Sequence, residues 1–193
     1  EMISLSVSSA SVTMDAPIGG GFTSGNTSAT VITNSAYGYT LTIEDADSNT
    51  SMTSSTSEDT VSSNYLGSKT EETFEENTWG FSVDATKFYA IPQKNSPLIL
   101  AKNSAPTSDE GATTTLTFGA KTSMYLTSGT YADRIILSAY TNGVDGSPEG
   151  VDPTSNPPEE VSDDVPEPYE EGSGPNENKL VLLTSMQDPR LIS

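Results

Sequence analysis

The chain of 193 residues contains neither cysteine nor histidine. Without these residues it can form no disulfide, no thiol nucleophile, no histidine-based acid–base pair and no structural zinc site of the usual kind. No run approaches the roughly 20 apolar residues that a membrane-spanning helix needs. We therefore expect no membrane span, no cofactor and no enzymatic activity, and a fold that depends on backbone hydrogen bonds and packing alone.

Basic residues are also scarce. The chain has 8 Lys and Arg against 27 Asp and Glu, which gives a formal net charge of −19. Proteins that bind nucleic acid need clustered basic side chains to neutralise phosphates, and no such cluster is present. The acidity suits solubility in an ion-rich medium, so we expect an extracellular or cell-surface location and no nucleic-acid partner.

The first 141 residues show the alternation of apolar and polar side chains that is typical of β-strands. Clear examples are Ile3–Val7, Tyr37–Ile43, Trp79–Val83 and Arg134–Tyr140. Turn-forming residues separate seven to nine such segments, and no helical periodicity extends beyond one turn. The sequence thus predicts an all-β fold, an antiparallel, immunoglobulin-like β-sandwich. Its core, which would also line a groove, is expected to include Leu5, Val31, Leu41, Trp79 and Ile136.

Residues 142–178 differ in composition from the predicted domain. They are rich in Pro, Asp and Glu and contain no Lys or Arg. Proline keeps such a segment extended, and repulsion between like charges keeps it open. At about 3.1 Å per residue this linker could span on the order of 100 Å, whereas a domain of this size is only about 37 Å across. The linker is therefore long enough to reach its own domain or a neighbouring one.

The last segment, residues 179–193, contains an isolated apolar strand. The residues expected to form it are Leu180, Val181, Leu182, Leu183 and Met186. Because such a strand must pair its backbone groups and cover its apolar side chains, we expect it to insert into an open groove. Three arrangements are compatible with the sequence: insertion into its own sandwich, strand addition to a neighbouring copy, or the start of a further domain.

A series of short motifs in fixed order resembles a family of secreted bacterial surface proteins with an N-terminal β-sandwich domain. The motifs are Leu5–Val7, a turn from Pro17 to Phe22, Tyr37–Ile43, Asn77–Phe81, Phe88–Pro92, Leu116–Lys121 and Ser128–Tyr131. The resemblance covers residues 3 to about 142 and implies an envelope-attached or extracellular sandwich without catalytic residues. Members of that family often continue past an acidic linker into another domain, beginning near a Met-Gln pair such as Met186-Gln187.

Two weaker patterns indicate candidate ligand or modification sites. Asp45, Asp47 and Asn49 have the D-x-D-x-N spacing that opens several calcium loops, but a glycine at the sixth position and an acidic residue at the twelfth are missing. A polar turn without metal is the favoured interpretation. Asn26 and Asn49 each begin an N-x-[ST] sequence, the glycosylation acceptor pattern, and both are expected in turns.

These observations favour a structural function. The leading hypothesis is an extracellular subunit of a filament, a pilus- or fimbria-like or surface-layer assembly, whose copies are linked by exchange of the C-terminal strand. Its partners would be other copies of the same chain. The alternative is a monomeric cell-surface adhesion or binding module on a stalk, which would use surface loops such as residues 44–70.

Overall fold

Strands form most of the regular structure in the computed structural model, which describes residues 1–148 and, for the backbone, residues 177–187. In chain order the strands are β1 (Ile3–Val7), β2 (Ser11–Asp15), β3 (Gly21–Thr33), β4 (Tyr39–Asp45), β5 (Met52–Thr53), β6 (Thr60–Val61), β7 (Ser68–Lys69), β8 (Thr78–Ser82), β9 (Phe88–Tyr89), β10 (Leu98–Asn103), β11 (Ala112–Thr122), β12 (Thr130–Thr141) and β13 (Glu177–Gln187). Four of these, β5, β6, β7 and β9, are only two residues long. The described residues contain no helix that could cross a membrane.

Two sheets build the fold. The first has the order β1-β3-β11-β8-β9-β7 and is antiparallel throughout. The second has the order β10-β4-β12-β13-β2, with the short strands β5 and β6 attached beside β12. In this second sheet the pair β13–β2 is parallel and the other pairs are antiparallel. The predicted β-sandwich is confirmed.

The core lies where the apolar faces of the strands meet. On β11 the side chains of Leu116 and Phe118 are completely buried, and on β4 those of Leu41 and Ile43 are completely buried. Alternate residues of β2, β3 and β12 add to the same cluster. Burying each large apolar side chain of this kind is worth about 1.5–3 kcal/mol, so the cluster holds the two sheets together without disulfides.

Residues 44–70, which the sequence predicted to be a surface excursion, also contribute to the core. Met52 and Val61, on the paired strands β5 and β6, are both fully buried. The indole Nε1 of Trp79 donates a hydrogen bond to the backbone oxygen of Thr50 at 3.0 Å. This part of the chain is therefore attached to the sandwich through Met52, Val61 and Thr50.

Candidate functional site: the groove that holds the C-terminal strand

The C-terminal strand β13 lies between two strands from distant parts of the chain. Along β12 it pairs without a register shift, from Thr130 opposite Gln187 to Tyr140 opposite Glu177. On its other side it pairs in parallel with β2, from Ser11 beside Leu183 to Asp15 beside Gln187. The strand is thus inserted between two neighbours, and its register is set on both sides.

Without β13 the second sheet would be incomplete. In the described residues, β2 pairs with β13 and with no other strand. Removing β13 would leave β2 without a ladder partner and would expose the backbone N–H and C=O groups along one side of β12. Such open edges are unstable and readily accept another strand. The sandwich therefore contains a strand-shaped groove that needs an occupant.

The sides of this groove carry fully or nearly fully buried apolar residues. Val12 and Met14 of β2 are 3% and 0% exposed, and Ile135 and Leu137 of β12 are both 0% exposed. All four belong to the hydrophobic core of the sandwich. An empty groove would bring part of this core into contact with water, which adds a hydrophobic penalty to the lost hydrogen bonds.

The five residues that the sequence predicted for the core and groove occupy different places. Val31, Leu41 and Trp79 are fully buried in the core, on β3, β4 and β8, and Leu5 of β1 is half-buried against it. Ile136 lies on β12 and pairs with Val181, but its side chain is half-buried and outside the core cluster. Ile136 is therefore not a core residue, because successive residues of a strand face opposite sides, but it lies on the strand that borders the groove.

Sequence reasoning missed the residues that border the groove most directly, Val12 and Met14. The signal was present, because Ser11 to Asp15 alternates polar and apolar side chains over five residues. All five residues predicted for the linking strand, Leu180, Val181, Leu182, Leu183 and Met186, lie in β13. Their register partners on β12 are Leu137, Ile136, Ile135, Arg134 and Tyr131.

The chain turns back toward β13 immediately after β12. Asn142 is fully buried, and its Nδ2 donates to the backbone oxygens of Tyr37 (3.2 Å) and Asn103 (2.9 Å), which fixes the end of β12. Gly143 N then donates to Ser147 O at 2.7 Å, and Asn142 forms an antiparallel bridge with Pro148. Five residues, 143–147, are thus enough to reverse the chain.

The reversed chain lies on the side of β12 where β13 pairs. The N–H of Asn142 bonds to Gly38 next to β4, so the N–H of Gly143 points to the opposite side. Pro148 is opposite Asn142, and Glu177 is opposite Tyr140. A hairpin that continues this register would need one residue between Pro148 and Glu177. The chain instead has residues 149–176 at this point. These residues make up most of the predicted linker and lie outside the described residues. Pairing within one chain does not require this length.

Two buried carboxyl groups lie on the neighbouring strands β4 and β12, the second of which forms one side of the groove. Asp45, at the end of β4, is completely buried, and Asp133 of β12 is 9% exposed. Oδ1 of Asp45 accepts from Asp47 N at 2.8 Å, and Oδ1 of Asp133 accepts from Arg134 N at 2.8 Å. The backbone of Asp133 pairs with Thr184 of β13.

Burial changes the proton affinity of both groups. Desolvation raises the pKa of Asp45 to about 6, although the hydrogen bond from Asp47 opposes the change. Desolvation, together with the charge of Asp45, raises the pKa of Asp133 to about 8. The two carboxyls interact directly, and Asp133 is the one that keeps the proton at neutral pH.

Because of this pair, we expect the free energy of unfolding to depend on pH. Both folded pKa values exceed the unfolded carboxyl value of about 3.9, so the folded state holds more protons between about pH 4 and pH 8. The stability contributed by the protonated pair is complete below that window and is lost as pH rises through 6 and then 8. Asp133→Asn should raise the free energy of unfolding at pH 9 by about 1–2 kcal/mol and flatten the decline.

Urea unfolding at several pH values between 5 and 9 measures this effect. Asp109→Asn, which changes an exposed carboxylate in a loop, is the matched control and should leave the decline unchanged. Equal slopes for the wild type and Asp133→Asn would show that the buried pair does not titrate as described.

The candidate calcium residues form a chain of local turns. Asp45 Oδ1 accepts from Asp47 N, Asp47 Oδ1 from Asn49 N at 2.7 Å, and Asn49 Oδ1 from Ser51 N at 3.3 Å. One oxygen of each side chain is therefore already used by the backbone two residues on. Within the described residues, no group of three or more Asp and Glu side chains is arranged to hold a metal ion.

The two candidate glycosylation residues lie in different settings. Asn49 is in the loop between β4 and β5, as the sequence predicted. Asn26 is within β3, paired with Thr117 of β11, so its prediction as a turn residue is wrong. Its side chain is nevertheless exposed on the sheet. Whether either asparagine carries a glycan stays a prediction.

Comparison with known proteins adds little to this picture. No family model matches the chain, and no curated protein matches it. Among solved structures, it is similar to a family 123 glycoside hydrolase from Clostridium perfringens that acts on glycolipid glycans. The TM-score is 0.40 and the identity 12%, over 97% of this chain. The chain spans 27% of the length of that structure, and the similarity supports no inference about function.

Proposed function

We propose that this protein is an extracellular structural subunit whose copies are linked by exchange of the strand β13. In this proposal, β13 of one copy occupies the groove between β2 and β12 of the next. No catalytic role is assigned to the chain. One observation carries the proposal: β13 is inserted between two strands, and the segment that joins it to the domain is far longer than pairing within one molecule requires.

The linker length favours exchange for an entropic reason. The entropic cost of closing a loop increases with the logarithm of its length, by about 0.6 kcal/mol for each doubling. Closing a hairpin through about 30 additional residues is therefore less favourable by roughly 1.5 kcal/mol than closing it through the turn 143–147 alone. A long linker weakens pairing within one copy and supplies the reach to a second copy.

The same groove contacts serve both arrangements, as in domain swapping. Each copy offers one strand and one groove on different surfaces, so the contact is heterologous. A heterologous contact that does not close into a ring produces an open filament. The acidic linker would lie along such a filament and, through its negative charge, would limit association between filaments. The motif resemblance to secreted surface proteins supports the extracellular location.

The proposal is tested by blocking the strand with proline. Arg134 O accepts a hydrogen bond from Ala46 N, on the side of β12 where β4 lies. Because the backbone groups of successive residues in a strand point to opposite sides, those of Asp133 point to β13, where Asp133 is opposite Thr184. Thr184→Pro removes a donor from this ladder and should abolish assembly. At Lys179 the N–H points away from β12, and the residues paired with β2 are Leu183–Gln187, so Lys179→Pro is the matched control.

Assembly is measured on the concentrated full-length chain by size-exclusion chromatography and negative-stain microscopy. Long assemblies are expected for the wild type and for Lys179→Pro, and monomers for Thr184→Pro. A wild-type chain that remains monomeric after unfolding and refolding at high concentration would contradict the proposal.

A further inference from the structure

A second feature of the surface is an open cleft that lies away from the strand groove. It has two adjoining halves of about 370 Å³ each, which share Tyr65, Ala90, Ile91 and Gln93. Among residues 1–148, those of β2 and β12 do not line it. The size of each half is within the range of small-molecule sites.

The two halves differ in chemistry. One half is lined mainly by hydroxyl and amide side chains, among them Asn49 and Asn64. The other is lined mainly by apolar side chains, including Leu66 and Leu98. Although the chain is strongly acidic, no charged residue within the described ranges lines either half. The cleft therefore suits a neutral ligand with one polar side and one apolar side.

The polar half is held in place by the core. Trp79 Nε1 donates to Thr50 O at 3.0 Å, which fixes the wall formed by residues 48–51. Ser63 Oγ donates to Trp79 O at 2.8 Å and accepts from Ile91 N at 2.7 Å, which joins the other two walls. Because these bonds join the walls to one another and to the core, binding would require little ordering of the walls.

The apolar half is also rigid at its centre. The ring of Tyr65 packs edge-on against Phe74, with 6.0 Å between the ring centroids, and Lys69 Nζ lies 5.9 Å from the Tyr65 ring centroid. The Tyr65 hydroxyl is buried, so the ring presents a fixed edge to the cleft. Leu66, next to it, is 95% exposed, so its apolar side chain is accessible to a ligand in this half of the cleft.

We propose that this cleft binds a neutral carbohydrate of one or two sugar units. A sugar ring has hydroxyl groups at its edge and C–H groups on its faces. Asn64 and Gln93 can donate to and accept from neighbouring hydroxyls, while Tyr65 and Leu66 can cover the C–H face. This binding activity is additional to strand exchange and does not depend on it.

The test is a titration of the full-length chain followed by ¹H–¹⁵N correlation spectra. The probes are methyl glycosides and disaccharides of neutral hexoses and N-acetylhexosamines. At least one probe should shift resonances of residues 48–51, 62–67 and 89–93. Asn64→Ala and Gln93→Ala should each weaken that binding about tenfold, the effect of one lost hydrogen bond in a site built to make it.

Both variants change exposed side chains and should leave the melting temperature unchanged, so a loss of binding would not reflect unfolding. Asn26→Ala, which removes an exposed amide from β3, is the matched control and should bind like the wild type. Three outcomes would overturn the proposal: no neutral probe shifts the cleft resonances, only charged glycans bind, or an extended apolar peptide binds there more tightly than any sugar. None of them would affect the strand-exchange proposal.

Discussion

Deletion of residues 177–193 is expected to lower the free energy of unfolding by at least about 5 kcal/mol, a large part of the stability of a domain of this size. The deletion removes the partner of β2 and one full side of β12. It also opens the groove beside Val12, Met14, Ile135 and Leu137, which are buried in the complete fold. Urea unfolding of the truncated and full-length chains measures the difference.

A peptide should restore what the deletion removes. When a synthetic peptide of residues 177–187 is added in excess to the truncated chain, it should bind in the groove and recover most of the lost stability by mass action. The same peptide with Thr184→Pro is the control and should not rescue, because it lacks one donor of the ladder with Asp133. A truncated chain as stable as the full-length chain would show that the groove does not need an occupant.

Deletion of residues 150–176 is expected to have the opposite effect on stability and to abolish assembly. The shortened chain places Glu149 between Pro148 and Glu177, which continues the hairpin begun by the turn 143–147 in the register already present. The shorter loop should stabilise the monomer by roughly 1.5 kcal/mol. Because its strand can no longer reach another copy, this variant should remain monomeric at concentrations at which the wild type assembles.

A control separates the length of the linker from its composition. If residues 150–176 are replaced by a Gly/Ser segment of equal length, the reach is kept and the Pro and acidic residues are lost. This variant should still assemble, whereas the shortened one should not. Filaments formed by the shortened variant would contradict the assignment of the linker as the element that permits exchange.

Much of the fold could be predicted because the strongest strands carry their own periodicity. The alternation from Tyr37 to Ile43 correctly identified Tyr39, Leu41 and Ile43 as buried, but Tyr37 precedes β4 and is exposed. The alternation on β11 correctly identified Leu116 and Phe118 as buried. The lone tryptophan, Trp79, was correctly placed in the core. These segments are long enough for the period of two to be recognised without knowledge of their neighbours.

Short elements and distant pairings could not be predicted in the same way. Met52 and Val61 are each the single buried residue of a two-residue strand, so no period exists to reveal them. The parallel pairing of β13 with β2 joins opposite ends of the chain, and no local pattern encodes it. In the sequence, Asp133 next to Arg134 has the pattern of a solvent-facing charged pair. Its raised pKa depends on burial and on its interaction with Asp45 of another strand, which no local pattern shows.

Exchange of β13 between copies can be detected by mixing two single-cysteine variants. Ala132 and Ser185 are register partners at a non-hydrogen-bonded position, where disulfide geometry is favourable, and the natural chain has no cysteine. Ala132→Cys and Ser185→Cys chains are unfolded together, refolded at high concentration and oxidised. If β13 of one copy fills the groove of another, disulfide-linked dimers that contain one chain of each variant should form. A mixture that yields only unlinked monomers, while the double variant forms its bond within one chain, would contradict it.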